Sequence, residues 1–149
     1  MTIPADPRYN DQWHFNLIGN IEAIWTDYDG TGVNVGVYDD GIDYTHEDLA
    51  ANYDASLHVV DNLLNPVDPM PITSGDGHGT AVAGIIGAAN NGVGGVGVAY
   101  GVTLTGVNVD FDVTGLYGSI NAIDYAPFVN VVGQAAANFD IMSNSWGSY

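Results

Sequence analysis

The chain has 149 residues, and 46% of them are hydrophobic, which is enough for a substantial core and too many for a disordered chain. Eighteen acidic residues face one basic residue, Arg8, for a formal charge of −17. Such a field repels nucleic acid and anionic membranes, so we expect neither as a partner. The charge fits a protein that binds cations or works at high salt, although simple solvation would also explain it.

The sequence lacks the usual marks of export. Its first residues, MTIPADPRYNDQWHF, have neither the basic nor the apolar region of a secretory signal peptide. No apolar run approaches the roughly 18 residues that cross a bilayer. There is no cysteine, which excludes disulfides and thiolate chemistry. Any export signal would lie outside these residues.

The first half of the chain predicts one strong strand. Residues 1–20 are polar, with aromatics and Pro, and predict an extended arm, whereas residues 21–28 predict a short helix. Val33–Tyr38 is an apolar, β-branched run that ends at Asp39-Asp40-Gly41. This pattern is typical of a buried strand in a parallel sheet, followed by a loop that carries polar groups. Residues 52–77 are rich in Asp, Asn, Pro and Gly and predict a long loop.

The second half alternates helices and strands. Residues 80–89, T-A-V-A-G-I-I-G-A-A, are small and apolar, and predict a helix that is buried on all sides. Strands are predicted at Val102–Val109 and Asp140–Trp146, with a helix at Gly115–Ala126 between them. The alternation indicates an α/β fold with a parallel sheet and right-handed crossovers.

Polar groups collect where the predicted strands end. Asp39 ends the first strand, Asn144 to Trp146 end the last, and His78 opens the buried helix. Functional groups gather at this edge of parallel sheets. An imidazole held by a buried carboxylate is the base that activates a hydroxyl nucleophile. Each residue alone also has an ordinary explanation: Asp39 could form a turn before Gly41, and His78 could simply begin a helix.

The surrounding motifs favour the catalytic interpretation. Three motifs contain these residues or lie between them: V-G-V-Y-D-D-G-I-D at 35–43, H-E-D-L at 46–49 and D-G-H-G-T-A-V-A-G at 76–84. Further matching stretches are D-P-R-Y-N-D-Q-W-H at 6–14, A-N-Y-D at 51–54, A-N-N-G-V-G-G-V-G-V-A-Y at 89–100 and S-N-S-W-G at 143–147. In type, order and spacing they resemble subtilisin-like serine peptidases, and most closely the kexin and furin-like branch. The resemblance covers nearly the whole chain and implies the N-terminal part of a three-layer α/β subtilisin-like fold.

The resemblance implies roles for the site residues. Asp39 would orient His78, which would act as general base and then general acid. Asp40 would help to receive a basic residue of the substrate, or would be a solvated turn carboxylate. The segment Ser145-Trp146-Gly147 would pair with an extended peptide and wall the primary pocket. Such a chain would belong to a serine endopeptidase that acts on peptides or proteins.

The resemblance also implies a tight calcium site that joins the arm to two loops. Calcium prefers six to eight oxygens from carboxylates and carbonyls. The matching ligands are the side chains of Asp6, Asp48 and Asn91, the carbonyls of Val93 and Gly95, and one carbonyl from Ala88 or Ala89. The alternative is that Asp6 and Asp48 are ordinary surface acids. A second site at Asp54, Asp61 and Asp68 is less favoured, because their spacing departs from the furin pattern.

The family's G-T-S-x-A/P segment, which carries the serine nucleophile, does not occur in these residues, nor does the segment with the oxyanion Asn. We therefore expect residues 1–149 to be one partial catalytic domain, with an arm at 1–20 and the sheet region at 21–149. This chain alone is expected to be inactive, and its main partner would be the remaining C-terminal half of the domain.

An alternative is a short, non-catalytic module derived from a subtilase that binds calcium or a protein. Intact motifs around Asp39 and His78 favour the peptidase, because a binding module does not need that pair. The family and the acidic composition favour a secreted or extracellular location.

Overall fold

The computed structural model describes residues 3–61, 63–110, 120–121 and 125–145. The helices are α1 (His14–Ile18), α2 (Ile21–Ile24), α3 (His78–Gly87) and α4 (Tyr125–Asn138), and the strands are β1 (Asn34–Asp39), β2 (Thr103–Asp110), β3 (Ile120–Asn121) and β4 (Ile141–Asn144). Short 3₁₀ turns lie at Tyr9–Asp11 and Ala55–Leu57. Within the described part of the chain, no helix has the length and apolar character needed to cross a membrane.

The four strands form one sheet in the order β3-β2-β1-β4, and every neighbouring pair is parallel. The predicted α/β fold with a parallel sheet is therefore confirmed. Strand β1 lies between β2 and β4, and all its residues after Asn34 are buried. Its small and β-branched residues suit this central position, because helices cover both faces of a parallel sheet.

The two faces of β1 pack against different helices. Val35 and Val37 share a cluster with Ala83 of α3, whereas Tyr38 shares another with Val131 of α4. The Tyr38 hydroxyl also donates a hydrogen bond to the Val131 carbonyl at 3.0 Å. Because successive side chains of a strand point to opposite faces, Asp39 lies on the α3 face, at the carboxyl end of the sheet.

Helix α3 departs from the prediction that it is buried on all sides. Gly79, Ala83 and Gly87 form its buried face at four-residue spacing, and a Cβ on Gly87 would come within 2.6 Å of the Val102 side chain. The opposite face is open, with Ile85 53% exposed. Small residues thus bring this helix close to the sheet on one side only, among the residues that the structure describes.

Helix α4 was not predicted where it lies. The prediction placed a helix at Gly115–Ala126, but Ile120–Asn121 is a short strand and the helix runs over Tyr125–Asn138. The first part of the predicted helix, residues 115–119, lies outside the described residues. Val131 and Ala135 are buried at four-residue spacing, so contacts with the sheet select this helix over the weaker local signal before it.

The N-terminal arm is less extended than predicted. It forms a 3₁₀ turn and α1, and Tyr9 and Phe15 pack with Trp25 and Val96 in a third cluster. The Trp25 indole donates to the Val98 carbonyl at 2.8 Å. Helix α2 ends at Ile24, earlier than the predicted Tyr28. The long predicted loop is confirmed for the described residues 52–61 and 63–77, apart from its 3₁₀ turn and isolated bridges.

Candidate active site

Asp39 and His78 meet as the sequence predicts. Asp39 is the last residue of β1, and His78 is the first residue of α3, which packs on that face of the sheet. His78 Nδ1 lies 2.7 Å from Asp39 Oδ1. The Asp39 side chain is 5% exposed, whereas the His78 side chain is 58% exposed. A buried carboxylate therefore holds an imidazole whose outer part is open to solvent.

This contact fixes the proton of the His78 ring. A carboxylate only accepts hydrogen bonds, so Nδ1 carries a hydrogen and Nε2 is the nitrogen left to accept a proton. The hydrogen bond to Asp39, together with the charge of that carboxylate, raises the pKa of His78 above its ordinary value. The pair thus has the geometry and electrostatics of a general base with its orienting acid.

Asp40 contacts the same histidine from another direction. Its Oδ2 accepts from the backbone N–H of His78 at 3.1 Å, and its Oδ1 accepts from the N–H of Gly79 at 2.6 Å. The Asp40 N–H in turn donates to Asp39 Oδ1 at 2.9 Å. The sequence predicted a carboxylate that faces substrate, and it gave no sign of this bonding to α3.

Glycines allow the close approach of the strand end to α3. A Cβ on Gly79 would lie 2.8 Å from the Cβ of Asp39 and would also overlap the carbonyl of Gly41. Gly41 itself has a φ of 122°, in the region that favours glycine. The N–H of Asp43 donates to the Thr80 hydroxyl at 2.9 Å, which adds a second link between this loop and the helix.

The structure describes only one residue, Ser145, of the segment that is predicted to pair with substrate. Ser145 is exposed and directly follows β4, and β4 is an edge strand of the described sheet. The other two members of this prediction, Trp146 and Gly147, lie outside the described residues. Because Asn144 is paired with Tyr38, Ser145 comes at the edge of the sheet where β1 delivers Asp39. The prediction that this segment pairs with a peptide stays a prediction.

The two acids predicted to bind calcium both hold the loop after α3. Asp6 is 3% exposed, and its Oδ1 accepts from the N–H groups of Asn91 and Gly92, each at 3.2 Å. Asp48 Oδ2 accepts from the N–H of Gly95 at 3.1 Å. The other oxygen of each carboxylate, Asp6 Oδ2 and Asp48 Oδ1, is buried and has no hydrogen-bond partner among the residues that the structure describes. Two unsatisfied buried carboxylate oxygens thus lie against one loop.

The remaining predicted ligands differ in how their oxygens are used. The Ala88 carbonyl accepts from Gly97 N–H at 2.9 Å, and Asn91 Oδ1 accepts from Val93 N–H at 2.9 Å. Within the described ranges, the carbonyls of Ala89, Val93 and Gly95 accept no hydrogen bond. Of the two alanines that the sequence left open, Ala89 therefore has the free carbonyl.

Two features of the loop after α3 were not predicted from the sequence. Gln12 clamps Val96 with both ends of its amide, accepting from the Val96 N–H at 3.0 Å and donating to the Val96 carbonyl at 2.8 Å. A Cβ on Gly94 would overlap the Asp48 carboxylate, so the chain must be glycine there. Gln12 lies inside the D-P-R-Y-N-D-Q-W-H motif, and this motif is the sequence feature that could have indicated its role.

The loop acids considered for a second calcium site do not converge in the structure. Asp54 caps the turn at Ala55–Leu57, Asp61 accepts from the N–H groups of its own loop, and Asp68 accepts from the N–H of Met70. Among the described His, Asp and Glu residues, only Asp39, Asp40 and His78 come together as a group of three.

Comparisons with known proteins agree with this geometry. A family model described as the subtilase family matches residues 30–149. Human furin is 37% identical over 153 aligned positions, which cover 97% of this chain and 18% of furin. Bovine neuroendocrine convertase 2 is 36% identical, with 95% of this chain and 23% of that protein covered. The chain thus spans about a fifth of the length of these curated relatives.

Solved structures show the same similarity in three dimensions. Fervidolysin from Fervidobacterium pennivorans, a keratinolytic enzyme related to subtilisin, matches with a TM-score of 0.76 and 28% identity over 97% of this chain and 22% of that one. The serine protease of Aeromonas sobria matches with a TM-score of 0.71 and 26% identity over the full length of this chain and 27% of that one.

Proposed function

Because the chain belongs to the subtilase family, we propose that it supplies the acid and the base of a serine endopeptidase. The observation that carries the proposal is the 2.7 Å contact between the buried Asp39 carboxylate and His78 Nδ1. In this role Nε2 of His78 takes the proton of a serine hydroxyl as it attacks the peptide carbonyl. The same nitrogen then returns a proton to the leaving amine.

The serine itself would come from sequence beyond these residues. Ser143 and Ser145 belong to the β4 segment at the sheet edge, and neither is hydrogen-bonded to His78 among the described contacts. The 149-residue chain alone is thus expected to be inactive. The remaining half of the domain is its proposed partner, and an extended peptide or protein is its proposed substrate.

Calcium is the proposed structural ion. In the described part of the chain, Asp6 Oδ2 and Asp48 Oδ1 are buried without a hydrogen-bond partner, and a buried, unsatisfied charge is expensive unless a cation compensates it. Oxygen donors are what calcium prefers. With Asn91 and the free carbonyls of Ala89, Val93 and Gly95, they would hold the ion and fasten the arm to the loop after α3. The ion would act on stability, and no step of the chemistry passes through it.

Cleavage next to basic residues and a secreted location are finer proposals. Asp40 is a half-buried acid beside the dyad, and the formal charge of −17 would attract basic peptides from a distance. Both proposals also draw on the similarity to furin and neuroendocrine convertase 2. A binding module without catalysis is less favoured, because it gives no reason for an oriented imidazole with an open Nε2.

The test compares this chain with a longer protein in which it continues through a G-T-S-x-A/P segment. A fluorophosphonate probe, which labels an activated serine, and peptides with and without basic residues are applied to both. We expect labelling and turnover only in the longer protein, with both lost in His78→Ala. Stoichiometric labelling of a serine within residues 1–149, with turnover lost in His78→Ala, would contradict the proposed division of the triad.

A further inference from the structure

We propose that Asp40 is a positioning residue for His78, which fixes the backbone of the base while Asp39 fixes its ring. The inference rests on the contacts of Asp40 with α3, and only its kinetic consequence depends on the proposed function. The two acids are consecutive in the chain: Asp39 is the last residue of β1, and Asp40 directly follows it.

Helix α3 needs such a contact because its first N–H groups have no partner within the helix. Gly77, the residue before the helix, has no side chain that could cap it. Asp40 satisfies the N–H groups of both His78 and Gly79, one with each oxygen. The negative charge also lies at the positive end of the helix dipole. Asp40 therefore determines where α3 starts, and His78 is its first residue.

The contacts close into a ring around the base. Asp39 Oδ1 accepts from the His78 ring and from the N–H of Asp40, and the Asp40 carboxylate accepts from the His78 backbone. The backbone and the imidazole of His78 are both hydrogen-bonded to the consecutive residues Asp40 and Asp39. The imidazole therefore keeps its distance to Asp39. A shift of the helix start by a fraction of an ångström would move Nε2 relative to the attacking hydroxyl.

This role predicts a different kinetic signature from that of a substrate-reading acid. Both Asp40 oxygens already accept from α3, so a substrate cation would add to the cap and not replace it. Loss of the cap should lower kcat for every substrate. Loss of a cation receptor should instead raise KM for basic substrates alone.

Asp76 offers a matched control. It lies two residues before His78, and its carboxylate accepts only from its own loop, from the N–H groups of Ile72 and Thr73 and from the Thr73 hydroxyl. Asp76→Asn therefore removes the same charge from the same neighbourhood and leaves the helix cap intact.

The first measurement needs no turnover. Amide hydrogen exchange and ¹H–¹⁵N shifts of His78 and Gly79 are recorded in this chain for Asp40→Asn, Asp40→Ala and Asp76→Asn. We expect both amides to exchange about tenfold faster or more in Asp40→Ala, less in Asp40→Asn, and at the parent rate in Asp76→Asn. Unchanged exchange and shifts in both Asp40 variants would overturn the proposal.

The second measurement uses the longer enzyme that carries the serine. Asp40→Asn should lower kcat about tenfold or more. The fall should be the same for two matched substrates that differ only in having Lys or Ala directly before the residue whose peptide bond is cleaved. Asp76→Asn should keep the kinetics of the parent. A rise in KM confined to the Lys substrate, at unchanged kcat, would overturn the positioning role. If the parent enzyme hydrolyses nothing, the proposed function fails, and the exchange rates still decide the role of Asp40.

Discussion

The calcium proposal gives the sharpest prediction, through the substitution Asp48→Asn. The amide keeps an oxygen for the Gly95 N–H and places its NH₂ where the unpartnered Oδ1 lies. It therefore preserves the shape of the site and removes one charge. Without calcium, the variant should unfold at the same temperature as the parent or higher, because it no longer carries a negative charge that no cation compensates.

The magnitude follows from mass action. Calcium at a hundred times its dissociation constant would stabilise the parent by about 2.7 kcal/mol. An unfolding entropy of about 2.1 cal/mol/K per residue gives roughly 0.3 kcal/mol/K for 149 residues. The parent should thus gain about 9 °C in Tm on addition of calcium. Asp48→Asn should lose most of that gain, so the order of the two proteins reverses between chelator and calcium.

Differential scanning calorimetry in chelator and in calcium tests this reversal. The control is Asp27→Asn, which removes a charge from an exposed residue whose backbone N–H donates to the carbonyl of Ile24 and not to the loop after α3. It should keep the full calcium gain. The reasoning is refuted if the parent Tm does not respond to calcium, or if both variants respond like the parent.

Three further predictions concern pH and packing. The pKa of His78 is raised in the folded state, so its ion pair with Asp39 stabilises the fold fully below the unfolded pKa of about 6.5. This stabilisation is lost as the pH rises through the folded pKa. Urea titrations at several pH values should show that His78→Gln lacks this pH dependence of the free energy of unfolding. Burial lowers the pKa of His58, so its contribution to the free energy of unfolding is present above a pH of about 6.5 and is lost as the pH falls through the folded pKa. The His58→Gln variant should therefore lose less stability on acidification than the parent, and an equal loss in the two proteins would contradict this. Gly79→Ala should cost about 1–3 kcal/mol by overpacking against Asp39 and should change the ring shifts of His78 in NMR spectra, and parent-like spectra would contradict the close approach.

The contact between Asp39 and His78, which are 39 residues apart, could be predicted because local patterns place both residues at one edge of the sheet. A β-branched run fixes where β1 ends, and the following Asp39 must then lie at the carboxyl edge of the sheet. His78 follows from a helix start that packs on the same face. The role of Asp40 toward α3 could not be predicted, because no sequence pattern shows which N–H groups of α3 its carboxylate reaches.

The helices were harder to predict because their burial depends on what packs on them. The small residues of α3 indicate close packing, but they do not show that one face, with Ile85, stays open among the described residues. For α4, the buried spacing of Val131 and Ala135 becomes informative only once Tyr38 and the sheet are in place. Local periodicity identifies a helix, and tertiary contacts choose its limits.

The N-terminal arm is tied to the loop after α3 by contacts that no local sequence pattern predicts. Gln12 and Val96 are 84 residues apart, and Arg8 N–H donates to the Gly94 carbonyl at 2.8 Å. Asp6 holds the same loop through Asn91 and thereby joins it to the aromatic cluster of the arm. Because arm and loop support each other, an ion that compensates the buried oxygens of Asp6 and Asp48 would order both together. Calcium should therefore slow amide exchange in residues 6–15 and 91–96 by the same factor, as expected of one cooperative unit.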